Sequence, residues 1–366
     1  MRRVPQLAVA ALTAASLTFA ATACGDDDSS SGGSGSSSSP SGGSAESDAK
    51  KNGAALAYDV GGRGDQSFND AAAAGYDKAK KQYGWKGQEL EPSAGESDAD
   101  KIQRLTDLAK KGYNPVIAVG FVYANAVKDV APKFPKTTFG LIDDSSVQGK
   151  NITNIVFAEQ EGSYLAGVVA AKTSKSKTVG FIGGVETPLI KKFEAGYAQG
   201  VKDTDSSVKV QVKYLTQPPD FSGFEKPDLG KEAAQGQLDA GADVIYQAAG
   251  GAGRGAIEAT AEAGKWAIGV DSDQYEQAGL KAFKAQILTS VEKNVSGAVY
   301  NLIESVDAGK PETGVVTYTL KGHEGEKGVS LSQSNPAFRD MKDVQDAVNE
   351  ATKKIVDGQI KVNTTP

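Results

Sequence analysis

The chain of 366 residues has one cysteine, one histidine, two methionines and two tryptophans. A single Cys excludes an internal disulfide, a CxxC redox pair and a thiolate metal cluster. A single His excludes a HExxH zinc site and any centre built on two imidazoles. The sequence has no Walker A run and no G-x-S-x-G elbow, and no spacing singles out an acid pair for glycoside hydrolysis. His323 stands in Lys321-Gly322-His323-Glu324-Gly325-Glu326, a charged, Gly-rich stretch that reads as an exposed loop, not as a catalytic base. No metal, no cofactor and no catalysis are therefore expected. A basic surface is also missing: 40 Lys+Arg against 46 Asp+Glu give a net charge of −6, which disfavours a nucleic-acid partner. Hydrophobic content of 39% and charged content of 23% suffice for soluble cores, and the length suits two domains.

The N-terminus reads as an export signal over residues 1–23. Arg2 and Arg3 precede an apolar run from Leu7 to Ala23 that is too short, and too rich in Ala and Thr, for a good membrane-spanning helix. The run ends in Ala21-Thr22-Ala23-Cys24-Gly25, which resembles a bacterial lipobox with Ala21 where Leu is usual. Cys24 is accordingly the expected lipidation site and first residue of a 343-residue mature chain (366 − 23), with a net charge of −8 (38 − 46). Residues 25–45 contain ten Ser, six Gly and three Asp and cannot bury apolar surface, so residues 24–52 read as a disordered tether. Such a tether spans roughly 25–30 Å. The expected location is the extracytoplasmic face of the cell membrane, held there by the lipid.

From Ala54 short apolar runs alternate with amphipathic stretches. Strands are expected at Ala54–Val60, Gln88–Glu91, Pro115–Val119, Thr138–Ile142 and Asn154–Ala158, with helices between them at Asn69–Tyr83, Asp98–Lys111 and Ala124–Ala131. Helix Gly162–Lys172 leads into a second round, with strands at Thr178–Ile182, Lys209–Tyr214, Val244–Tyr246 and Ala267–Val270. This alternation argues βαβ units and parallel sheets. The rounds echo each other. Each opens with a strand and a Gly-Gly pair, Gly61-Gly62 and Gly183-Gly184. Each then has a Phe, Phe68 or Phe193, followed by Gly75-Tyr76 or Gly196-Tyr197. Two similar lobes follow from the echo. Ligands of open parallel sheets sit beyond the carboxyl ends of the strands. There Phe68 and Phe193 would form the jaws of one cleft.

Two further motifs fall at such ends. Gly251-Ala252-Gly253-Arg254-Gly255-Ala256 fits a dinucleotide fingerprint with Asp271 about twenty residues on, but it lies deep in the second round of an exported chain. It reads better as a Gly-rich turn that brings backbone N–H groups to a polar ligand. Asp271 and Asp273 could accept from vicinal hydroxyls, and Asp273 alone could equally cap the following helix.

At these residues a family resemblance appears. Asp65-Gln66-Ser67-Phe68-Asn69 after Gly61-Gly62 resembles the D-x-S-F-N signature of the basic membrane lipoprotein family, the purine nucleoside receptor-like substrate-binding lipoproteins of ABC transporters. The likeness continues through Ser163–Gly167, Val179–Gly184, Phe193–Tyr197, Ala249–Gly253, Ala267–Gln274 and Thr289–Lys293. It implies a type I periplasmic-binding-protein fold, an α/β architecture of two Rossmann-like lobes with parallel sheets joined by three crossovers. Lobe 1 is expected at 53–157 and 290–313, and lobe 2 at 158–289 and 314–366. The resemblance implies a nucleoside base sandwiched between Phe68 and Phe193, with Asn69 on the base edge and Asp271 on the ribose hydroxyls. Lys293 would lie nearby, Gly250, Gly251 and Gly253 would offer amides, and Asp65 and Phe121 would stand in the wall. The expected partners are a small-molecule ligand, an ABC permease and the membrane through the lipid; a monomer is expected. The same fold could instead hold a sugar or signalling molecule, and an enzyme acting on nucleosides is a third reading.

Overall fold

The computed structural model describes residues 52–323 and 325–366. The export signal, Cys24 and nearly all of the tether lie outside the described residues. The first sheet takes β1 (Ala55–Ala57), β2 (Gln88–Leu90), β3 (Val116–Ala118), β4 (Phe139–Ile142) and β5 (Ile152–Phe157). The second takes β6 (Thr178–Val185), β7 (Lys209–Thr216), β8 (Val244–Ala248), β9 (Trp266–Asp271) and β10 (Ile287–Lys293). The last strands, β11 (Gly314–Tyr318) and β12 (Val329–Leu331), return to the first and second sheets respectively. The orders β11-β5-β4-β3-β1-β2 and β12-β10-β9-β8-β6-β7 match strand for strand, so the sequence echo is an echo of topology. Pairings are parallel except for β12, which runs antiparallel to β10. Central strands β3 and β8 are buried on both faces, and β3 reads as a continuous apolar run, as helix-covered parallel strands do.

The chain passes between the sheets three times: after β5, after β10 and between β11 and β12. These crossings correct the expected lobe limits. Strand β10 lies wholly in the second sheet, where the sequence reading divided it at 289/290. Strand β11 joins the first sheet by pairing with β5, where the reading placed 314–318 in the second lobe. The physical reason is register: Ser290, Val291 and Glu292 continue the ladder with Gly269, Val270 and Asp271 without a break.

The paired Gly-Tyr motifs are packing devices. Gly75, in helix Phe68–Tyr83, lies against the backbone of Ser296 in helix Val295–Asp307. Gly196, in helix Pro188–Thr204, lies in the same way against the backbone of Gln160 in helix Glu159–Thr173. A Cβ at either glycine would overlap a backbone carbonyl, so both must stay small. The adjacent Tyr76 and Tyr197 are fully buried in the two lobe cores. Near the C-terminus, helix Lys342–Val356 buries Val344, Val348, Ala351 and Ile355, a stripe at helical spacing that joins the second core. Among the described residues no helix is long and apolar enough to cross a membrane.

Candidate functional site

The carboxyl ends of the two sheets face each other across a cavity lined by residues from both lobes. Strand β1 lies between β2 and β3, the point where strand order reverses, and β6 stands at the matching point of the other sheet. Each helix that follows these strands brings one aromatic wall. Phe68 is the first residue of its helix, and Phe193, 2% exposed, lies in the second turn of its own. The Lys293 ammonium at the end of β10 lies 5.0 Å from the Phe68 ring centroid and 5.7 Å from that of Phe193, so the two rings flank one point. Phe121 closes a further side and meets Phe221 of the other lobe edge-on, with centroids 6.0 Å apart.

Eight of the ten expected site residues line this cavity: Asp65, Phe68, Asn69, Phe121, Phe193, Gly250, Asp271 and Lys293. Gly251 and Gly253 do not. Gly251 lies against the carbonyls of Phe224 and Glu225, while Gly253 lies under the Gln247 side chain and opens helix Gly253–Glu262. The N–H groups of Ala252 and Gly253 bond back to Ala249 and to Gly250 and Gly251, so the turn consumes the Gly253 amide expected for a ligand.

The D-x-S-F-N run is a tied corner. The Asp65 carboxylate accepts from the backbone N–H groups of Ser67, Asn69 and Asp70 at 2.8–3.1 Å and so caps the helix. Ser67, at the N-cap position, accepts no helix N–H; its hydroxyl donates across the cleft to Asp271 Oδ2 at 2.7 Å. The Asn69 amide is spent on the protein. Its Oδ1 accepts from the Asp59 N–H at 2.9 Å, and its Nδ2 donates to the Val60 carbonyl and to Asp65. Asn69 thus fixes the loop that carries Asp59.

Charge in the cavity is one-sided. Asp59, Asp65, Asp143 and Asp271 line it, with Lys293 as the one cation among the described lining residues. Lys293 Nζ lies 2.6 Å from Asp143 Oδ2 and 3.7 Å from Glu159 Oε1, all three side chains being 5% exposed or less. Burial pulls the Lys293 ammonium down, but Asp143, Glu159 and Asp271 hold it above its usual range. Burial raises Glu159 and Asp271, against the pull of Lys293 on both. Burial also raises Asp59 to about 7, against the Val60 N–H bond and with Asp143 adding to the rise. Asp65 rises to about 6 through burial, despite its three backbone donors. Asp143 Oδ1 is buried without a hydrogen-bond partner among the described residues. An unmet acceptor in a cavity wall fits a ligand that donates.

Asp59, Asp143, Leu189, Ile190 and Phe224 line the cavity but were absent from the sequence-based set. Asp143 had a readable signal. An aspartate with left-handed backbone stands at the carboxyl end of β4 and of its topological counterpart β9: Asp143, just after β4, at φ 66° and Asp271, the last residue of β9, at φ 64°. The sequences Leu141-Ile142-Asp143-Asp144 and Gly269-Val270-Asp271-Ser272 carry that echo. Phe224 had none, because it comes from the turn-rich run Pro218–Phe224. Its seat is Gly184, which falls beyond the expected strand Thr178–Ile182 but lies inside β6; a Cβ there would stand 2.5 Å from the Phe224 ring.

Comparison with known proteins agrees with this geometry. Residues 53–365 match the PnrA-like ABC transporter substrate-binding protein family, Bmp. A CD4+ T-cell-stimulating antigen of Listeria innocua is 34% identical over 88% of this chain and 93% of its own. The ABC transporter nucleoside-binding protein BmpA of Lactococcus lactis is 34% identical over 84% of this chain and 88% of its own. A crystal structure of an ABC transporter solute-binding protein from Aeropyrum pernix superposes with a TM-score of 0.74 at 28% identity, covering 85% of this chain and 93% of that one. The two matched sheets, the interlobe cavity and these relatives agree: the chain belongs to the PnrA-like family of ABC transporter substrate-binding proteins.

Proposed function

We propose that the protein captures a purine nucleoside in the interlobe cavity and delivers it to an ABC importer, acting as a monomer held at the outer face of the membrane by a lipid on Cys24. The observation that carries this reading is a phenylalanine from each lobe, Phe68 and Phe193, in one cavity beside buried carboxylates, with Asp143 Oδ1 lacking a partner among the described residues. A purine offers a flat π-face to Phe68 and Phe193, and stacking contributes about 1–3 kcal/mol per base. Ribose hydroxyls donate, and Asp143 Oδ1 and Asp271, both neighbours of Lys293, accept. Because the Asn69 amide is already engaged, the base edge falls to Asp59, with Asn69 holding it in place. Gly250 completes the wall. The nucleoside-binding name of the Lactococcus lactis relative supports the ligand class. The Ala21-Thr22-Ala23-Cys24 run and the Ser/Gly tether behind it support the anchor.

A thermal-shift panel on residues 50–366 tests the ligand. At 100 times its Kd a ligand adds about 2.7 kcal/mol, or about 4 °C for a body of this size. Inosine, guanosine or adenosine is expected to give that shift, and ribose and glucose none. Shifts from sugars alone would replace the nucleoside by a sugar.

A further inference from the structure

Gln66 occupies the unspecified position of the D-x-S-F-N run and does not line the cavity, yet it makes the densest set of bonds between the lobes. Its carbonyl accepts from Gln274 Nε2 at 3.0 Å and from Ser272 Oγ at 3.2 Å, and its Oε1 accepts from the Gly279 N–H at 3.0 Å. All three donors belong to the loop after β9, in the second lobe. Gln66 itself belongs to the first lobe, where its N–H donates to Asp70 Oδ2 at 3.0 Å. Its backbone is left-handed at φ 58°, a conformation that costs a non-glycine residue and persists only where contacts impose it.

Both ends of this bridge are stiff. On the first lobe, Asp65 and Asp70 bind the backbone N–H groups of residues 64, 66, 67, 69 and 70. On the second, the Gln274 N–H donates to Ser290 Oγ, and Gln274 Oε1 accepts from Gln247 Nε2 and from the Val270 N–H. Bonds between two rigid bodies that meet only when the cleft is shut stabilise the shut form alone. A contact of that kind biases closure without touching the ligand.

We infer that Gln66 is a latch, a positioning residue that sets the closed-to-open ratio, and through it the ligand residence time, by joining the two lobes outside the cavity. The closure it acts on is that of the proposed capture mechanism, but the bonds do not depend on which ligand is held. The side-chain bond to Gly279 can be removed while the carbonyl bonds remain. One neutral hydrogen bond corresponds to about a fivefold change in an equilibrium constant.

The test compares wild type with Gln66→Ala and Gln66→Gly, using inosine as the probe in stopped-flow binding, and interlobe fluorescence transfer without ligand. The glycine variant loses the same side chain and relaxes the left-handed backbone, so it serves if the alanine variant folds poorly. Dissociation of inosine is expected to speed up about fivefold in both, with association unchanged in both and the ligand-free melting temperature unchanged in the alanine variant. An unchanged dissociation rate, or a loss confined to the melting temperature, would overturn the latch. If inosine does not bind wild type, the nucleoside reading fails. Fluorescence transfer then decides the latch by itself: lower transfer in the variants supports it, and equal transfer refutes it.

Discussion

Lys293→Met removes one charge from the centre of the site and keeps nearly the same length of side chain among Phe68, Phe157 and Phe193. The ammonium it deletes holds Asp143 at 2.6 Å and Glu159 at 3.7 Å, with all three side chains buried. Removing one partner of a buried ion pair costs about 3–5 kcal/mol. The matched body has 313 residues (365 − 53 + 1). At about 2.1 cal/mol/K per residue its unfolding entropy is about 0.66 kcal/mol/K, so the melting temperature falls by about 5–8 °C at pH 7. The deficit depends on pH with a definite sign. Without the cation, Glu159 and Asp271, both already raised by burial, lie beside the Asp143 charge with nothing to offset it, and the folded variant relieves this by protonating one of the two, a proton that the unfolded chain takes up only near pH 4. The folded state then holds more protons than the unfolded state between pH 7 and pH 4, so stability rises as pH falls. Melting curves of variant and wild type at pH 5, 6, 7 and 8 are expected to converge toward the acid end. Equal melting temperatures at pH 7, or a gap that stays constant or widens on acidification, would refute the reasoning.

Two further substitutions probe the wall. Gly184→Ala places a methyl group 2.5 Å from the Phe224 ring, which must leave its seat; overpacking of this kind costs about 1–3 kcal/mol, and calorimetry should show weaker inosine binding, whereas unaltered affinity would remove Phe224 from the working wall. Asp59 has a folded-state pKa raised by burial to about 7, so its contribution favours the fold below the ordinary carboxyl range and is lost as pH rises to 7. Asn cannot ionise, so Asp59→Asn should melt about 2–6 °C above wild type at pH 8 and level with it at pH 4; the same gap at both values would contradict the assignment.

Much of this architecture was legible in the sequence because parallel strands and amphipathic helices leave strong periodicities. The alternation from Ala54 to Val270 corresponds to strands β1 to β9 in order. Beyond Val270 the alternation loses its pattern. Strand β10 mixes Thr289, Ser290 and Glu292 with apolar residues, and β11 and β12 are short edge strands whose sheet membership depends on crossovers, not on local pattern. The site divides in the same way. Phe68, Phe193 and Asp271 stand at fixed points of a repeated topology, so an internal echo finds them. Asn69 could be located in the cavity but its bonding could not be read, because Asp59 and Val60 reach it from ten and nine residues away. The Lys293–Asp143 pair joins residues 150 apart, and only the assembled lobes bring them together.

The central claim is that a purine nucleoside lies between Phe68 and Phe193. Calorimetric titration of residues 50–366 with inosine, repeated on Phe193→Ala, tests it most directly. The account predicts one site per chain in the wild type and an affinity about 5- to 150-fold lower in the variant, the loss of one stacking partner. No binding of inosine, guanosine or adenosine by the wild type, or equal affinity after Phe193→Ala, would contradict it.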